Sequence, residues 1–264
     1  MKRPWKKINL IGLFLPVSII LIWLLVAETG KIPHYLLPSP KDIIFVFIDF
    51  ISGGAKLSPY SGQFLDHLWT SLSRVLVGFS LATLFGLLLG FLTGWIPMAK
   101  RIIDPTANAI RTVPGIGWLP IAMVWFGVGE RTTIFLIALV SFFPIYLNTA
   151  HGASSVPLLL VRAGRMLGAG KLTLFRTIVL PWAFPDVIVG LRLGLGVSWS
   201  FLVLGELTGV ATGLGAVMMD SRMLGQTEMI LVSMLCIAVM GFLTDRLLYW
   251  VCKLIYPVRE VAAK

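Results

Sequence analysis

Long apolar runs alternate with short polar segments along the whole chain. A helix needs about 20 apolar residues to cross a hydrocarbon core roughly 30 Å thick. On that measure the pattern predicts six spans, at roughly 8–27, 66–96, 104–128, 131–150, 186–209 and 228–252. The second run exceeds the minimum and has length to tilt or to extend beyond the bilayer. The third is interrupted by Pro114, Gly115, Gly117 and Pro120. Backbone groups freed at such a break must be satisfied inside protein or a cavity, so this run is either a lining element or a kinked helix. Between the first two runs, Pro33, Pro38, Pro40, Gly53, Gly54 and Pro59 mark turns. Within that segment, Asp42–Ile51 predicts a short interfacial helix.

Small residues have their own period. Gly78, Ala82, Gly86, Gly90 and Gly94 recur every four residues in the second run, so they share one helix face. In lipid, such faces let backbones approach closely. Gly190 with Gly194, and Gly205 with Gly209, repeat the device in the fifth run. These stripes are packing faces within one subunit, a subunit interface or a moving contact.

Composition agrees with the pattern. The 264 residues are 57% hydrophobic and 13% charged, with mean hydropathy +0.91, where soluble domains carry about 25% charge. A net charge of +10 does not point to nucleic acid, because the cations sit in short segments between apolar runs. Thirteen of the 22 lie in segments 1–7, 97–103, 151–185 and 253–264, against five in the alternate segments. This bias predicts both termini and the 151–185 loop in the cytoplasm of a multi-pass protein of the cell membrane. The first run, preceded by Lys2, Arg3, Lys6 and Lys7, is longer than a signal-peptide core and predicts an uncleaved signal anchor. Cys236 and Cys252 have no metal spacing and predict lipid- or core-facing thiols; His34, His67 and His151 are scattered and predict no metal site.

The 151–185 loop is the most informative segment. Pro157 suits a helix start, and Gly168 and Gly170 turn or break the helix that follows. Lys171–Leu180 reads as a second short helix, ended by Pro181 and Pro185. Arg162, Arg165, Lys171 and Arg176 make this hinged pair basic, which suits docking on a partner. Leu167–Lys171 looks like the tail of a phosphate-binding loop, but Arg165 and Leu172 occupy positions that need Gly and Ser or Thr. ATP and Mg, if used, belong to another polypeptide, and the chain itself needs no cofactor.

The loop resembles that of the permease subunits of bacterial ABC importers. Their pattern is Glu-Ala-Ala, three residues, Gly, nine residues, Ile, one residue, Leu-Pro. Here Ala163, Gly168, Ile178, Leu180 and Pro181 match, whereas Arg162 and Gly164 depart. Leu37–Pro40, Ser71–Phe79, Trp125–Glu130, Gly190–Trp199 and Thr212–Gly215 are similar to the nitrate/sulfonate/taurine branch, in the same order. The resemblance implies an all-α type I permease fold forming one transmembrane domain over 1–264, with 158–181 as the loop that couples to the ATPase. It also implies a homodimer with two ATPase subunits and an extracytoplasmic substrate-binding protein, moving a small anion by alternating access. Sulfonates and taurine stand ahead of nitrate, bicarbonate or cyanate. The alternative from another class is an ATP-independent channel or secondary carrier. No nucleophile–base pair suggests an enzyme.

Charges within spans are costly, so they face protein or water. Arg192, Trp199 and Glu206 are seven apart and share one face of the fifth span. Either this face borders the translocation path, or Arg192 and Glu206 sit at opposite rims. Arg74 either joins that path as an anion site or pairs with an acid of another helix.

Overall fold

The computed structural model describes residues 10–255 except Gly30, Lys31, His34 and Leu57. The cations at 2, 3, 6, 7, 31, 259 and 264 lie outside the described residues, as does the start of the first span. Among the described residues the regular structure is all helical. Four helices are long and apolar enough to cross a membrane: α3 (Phe64–Trp95), α6 (Glu130–Ser154), a continuous helix over Lys171–Glu206, and one beginning at Thr227. A bent pair offers a fifth crossing: α4 (Pro97–Thr112) and the segment Gly115–Phe126, which ends in α5 (Leu119–Phe126). The first helix, α1 (Leu10–Glu28), has 19 residues, with its described apolar stretch at Val17–Glu28.

The chain divides into two compact units. One comprises residues 1–64 with 218–233, and the other 65–217 with 234–264. In the first, the predicted interfacial helix is α2 (Pro40–Ser52), capped by Ser39 and closed by Gly53 at φ +70. Asp49, 1% exposed, accepts from Ala55 N (2.8 Å), Lys56 N (2.9 Å) and the Ser61 hydroxyl, which ties down the loop behind α2. Phe50 and Phe47 meet Phe64 edge-on. Tyr60 donates to Asp220 at 3.0 Å.

In the second unit α6 is the central helix. The α3 stripe lies against it: a Cβ at Gly78 would meet Ile137, at Gly86 Ile145, at Gly90 Thr149, and at Gly94 Ala150 and Ala153. Each step along α3 matches an equal step along α6, so the two helices run parallel. On α9 (Leu180–Glu206) the order reverses: Gly190 meets Asn148, Gly194 meets Ile145 and Gly205 meets Thr133, so α9 runs antiparallel to α6. A third span must therefore return the chain between α3 and α6. Ile145 fits between Gly86 and Gly194, and the core continues through Val75, Ile137, Leu195, Trp199 and Leu202. Close packing of this kind replaces the hydrophobic drive that lipid cannot supply between helices.

Three predicted elements are corrected. The third span starts at Pro97 rather than near 104, and its two halves meet at 90°. Pro114 has no N–H to continue the ladder and holds Val113 extended (φ −72, ψ 120). Pro181 does not end the helix that starts at Lys171. Residues Phe175–Val179 widen into a π turn just before it, so the missing proline N–H and the ring are accommodated. The helix that carries the fifth span therefore begins at 171, not 186. The loop after α9 contains an unpredicted helix, α10 (Leu214–Met223), and the last helix among the described residues is α11 (Thr227–Ile255).

Candidate coupling surface and translocation path

The first candidate site is the loop after α6. The helix α7 (Leu158–Met166) follows Pro157, whose carbonyl accepts from Leu160 N (3.0 Å) and Val161 N (3.4 Å). It ends in a Schellman cap: Ala169 N donates to Gly164 O and Gly168 N to Arg165 O, both at 3.0 Å. Gly168 sits at φ +78, the left-handed conformation in which glycine alone is unstrained. Its added Cβ would meet nothing within 4 Å, so the requirement is one of backbone, not space. Gly164 is the opposite case. A Cβ there would stand 2.5 Å from Leu174 Cδ2 and 3.1 Å from Ile178 Cδ1. The small residue in place of the family alanine thus lets α7 lie directly on the start of the next helix, α8 (Lys171–Leu174).

Burial is divided within this element. Val161, Leu174 and Val179 face inward, whereas Met166 is 90% and Leu167 88% exposed at its tip. Arg162, Ala163, Arg165, Lys171 and Arg176 are exposed, and Leu180 is 38% exposed; Ile178 and Pro181 are half-buried. The element is therefore a capped knob with apolar residues at its end and cations around it. Its inner side borders a groove of about 770 Å³ lined by Trp95, Pro97, Val156, Arg165, Lys171 and Phe175. The Leu167–Lys171 run that resembles part of a phosphate-binding loop serves here as the helix cap.

The second candidate site separates into two. Glu206, 0% exposed at the end of α9, accepts from Ser71 Oγ (2.8 and 2.9 Å), Arg74 Nη1 (2.8 Å) and Gly215 N (2.8 Å). Arg74 Nη1 also donates to Thr212 O at 2.6 Å. Leu214 N donates to Ser71 Oγ (2.8 Å) and Gly213 N to His67 Nδ1 (3.0 Å). The first N–H groups of α10 are thus satisfied by side chains of α3 and α9, and a carboxylate lies at the helix N-terminus, where the dipole favours it. Gly213, at φ +133, lies where any Cβ would run into the Glu206 carboxylate. Arg74 and Glu206 form an ion pair, and both side chains are buried.

Arg192 lies 14 residues earlier, about 21 Å along the helix, and is not part of that cluster. Its Nε and Nη2 donate to the two oxygens of Asp245 on α11, both at 2.7 Å. The side chains are 45% and 27% exposed. Trp199, between the two sites, is buried and donates to Thr244 Oγ1 at 3.0 Å. Equal spacing by seven therefore leads to three different environments, because each side chain meets a different neighbour. Asp245 escapes a sequence reading as a partner; only the antiparallel register of α9 and α11 brings it to Arg192. At the break of the third span, a cavity of about 210 Å³ is lined by Arg111, Gly115, Trp118, Phe143 and Phe201.

Residues 82–257 match the family described as binding-protein-dependent transport system inner membrane component. The chain belongs to that family. This inner membrane component is 36% identical over 241 residues to SsuC of Bacillus subtilis, a permease named for aliphatic sulfonates transport, covering 91% of this chain and 83% of the relative. It is 33% identical to the taurine transport system permease protein TauC of Escherichia coli (85% and 80% covered). It is equally 33% identical to the nitrate import permease protein NrtB of a Synechocystis strain (85% and 82% covered). An inward-facing structure of the MetNI methionine ABC transporter shares its fold, with TM-score 0.57, 19% identity, and coverage of 71% of this chain and 95% of that one. The all-α type I permease fold expected from the loop motif is thus the fold of this multi-pass membrane protein.

Proposed function

We propose that this chain is the membrane half of an ATP-driven importer that brings a small oxyanion, of the sulfonate or taurine kind, into the cell by alternating access. A second copy of the chain completes the pathway. Two separate ATPase subunits hold the ATP and Mg and carry out hydrolysis, and a binding protein delivers the substrate from outside. Both termini and the α7–α8 element lie in the cytoplasm, in keeping with the cation bias. The observation that carries the reading is the α7–α8 knob: a capped, basic projection with Met166 and Leu167 bare at its tip. Side chains this apolar stay exposed when another protein covers them. Relatives named for aliphatic sulfonates, taurine and nitrate support the substrate class.

ATP binding moves the ATPases together, and a stiff knob transmits that motion to α9 because Lys171–Glu206 is one unbroken helix. Coupling then needs the knob to make different contacts in the two states. The test is affinity purification of the tagged chain from membranes, with identification of co-purifying subunits and measurement of labelled taurine uptake. An ATPase should be recovered with the chain and lost when residues 158–181 are scrambled. Gly168→Trp should abolish uptake, with or without loss of the ATPase; normal uptake by that variant refutes the coupling role.

A further inference from the structure

We infer that Asp245 is an internal stand-in for the transported anion: it occupies the guanidinium fork of Arg192 until an oxyanion replaces it, on a water-filled face of α9. The inference rests on the proposed import of an anion and extends it to a residue and a contact. Three observations carry it. First, the fork is complete, with both Nε and Nη2 on the two carboxylate oxygens at 2.7 Å. A guanidinium binds a sulfonate or nitrate through the same planar pair of donors. Second, the pair is not sealed, with 45% and 27% of its side chains exposed. Asp245 lies 10 residues, about 15 Å, from the end of α11. Charges at such depth are costly unless paired or in water, and Arg246 beside it is exposed as well. Arg192 is held by Asp245 rather than reaching to the headgroups. Third, Gly196 and Ser200 follow Arg192 at one-turn intervals and are exposed too. An added Cβ at Gly196 would meet nothing within 4 Å. The row Arg192–Gly196–Ser200 carries no apolar side chain, although Val189 and Leu193 beside it are exposed.

The Glu206–Arg74 pair serves as the internal contrast. There a carboxylate with four donor contacts is fully enclosed, and no ligand can compete for it. At Arg192 the fork is the same chemistry left accessible. Exchange of Asp245 for substrate keeps one oxyanion in the fork of Arg192 at every stage, so an anion can enter and leave without a deep well.

The test uses cysteine accessibility in the full-length chain in membranes, with Cys236 and Cys252 changed to Ala. Asp245→Cys and, separately, Gly196→Cys are treated with membrane-impermeant methanethiosulfonates carrying either a sulfonate or a trimethylammonium group. The thiolate forms a mixed disulfide and methanesulfinate leaves. Both introduced thiols should react. With Asp245→Cys, the freed Arg192 should make the sulfonate reagent react about tenfold or more faster than the cationic one, a preference that Arg192→Gln lowers more than Arg246→Gln does. Equal or cation-favoured rates in the Asp245→Cys variant overturn the inference. So does failure of both positions to react, which would place this face against lipid or a second copy. Protection by taurine separates the two readings. An anion preference without protection keeps the exchange site and removes taurine as its substrate.

Discussion

Removing Arg74 tests the reasoning about buried charge most directly. In Arg74→Met, Glu206 loses the 2.8 Å bond to the guanidinium and Thr212 O loses its 2.6 Å donor. Ser71 Oγ and Gly215 N still serve the carboxylate. The charge, however, remains 0% exposed and unopposed. Breaking a buried pair by deleting one partner costs about 3–5 kcal/mol, because an uncompensated charge is left behind. At about 2–4 °C per kcal/mol for a chain of this size, the midpoint should fall on the order of 10 °C. Adding Glu206→Gln to the same variant removes the orphaned charge but keeps an oxygen for Gly215 N. The double variant should therefore be more stable than Arg74→Met, with a coupling of up to about 3 kcal/mol. Thermal unfolding of the four proteins in one detergent, followed by fluorescence-detected gel filtration, gives the cycle. A loss under about 1 kcal/mol for Arg74→Met, or strictly additive effects, would refute the clamp.

The remaining predictions concern glycines and one tyrosine. Gly90→Ala should cost about 1–3 kcal/mol, because its Cβ would stand 2.6 Å from Thr149 Cβ, whereas Gly196→Ala, which meets nothing, should stabilise the helix by up to about 1 kcal/mol; equal effects in thermal unfolding would remove the α3–α6 packing argument. At the knob, Gly168→Asn should retain more ATPase binding than Gly168→Val, since Asn tolerates φ +78 better than a β-branched residue. Gly164→Leu should disrupt α7 even though its φ is ordinary, because Leu174 and Ile178 fill the space; proteolysis of the loop reads that directly. Burial and the hydrogen bond to Asp220 push the Tyr60 hydroxyl up from 10 to about 12. Its folded value lies above the unfolded one, so the stability it adds is whole below pH 10 and lost as pH rises through about 12. Tyrosinate absorbance of the native chain minus that of Tyr60→Phe should show this late titration; a midpoint near 10 contradicts it.

The long apolar helices and the capped turn after α7 are legible in the sequence because they depend on local properties. Apolar length marks α3, α6 and α11, and Gly168 announces a left-handed cap wherever its helix lies. The prolines are less legible. Pro114 breaks its helix, whereas Pro181 does not, because a π turn over Phe175–Val179 absorbs it. Nothing local distinguishes the two. The helix α10 escapes notice because its N–H groups are satisfied by His67, Ser71 and Glu206, two of them more than 140 positions away in the chain.

By itself the sequence determined that this chain lies in a membrane and where most of its long apolar helices fall. These follow from the free energy of moving residues from water to lipid, which each segment settles largely alone. Only the tertiary structure decided what the intramembrane charges do. Arg74, Arg192, Glu206 and Asp245 are each costly in lipid, and composition says only that each needs an opposite charge or water. The register of α3 against α6 and of α9 against its neighbours selects the pairs. It encloses Glu206 with Arg74 and leaves the Arg192–Asp245 fork partly exposed. A charge's partner is a matter of distances between helices, and those distances are set by glycines packing against side chains far away in the chain.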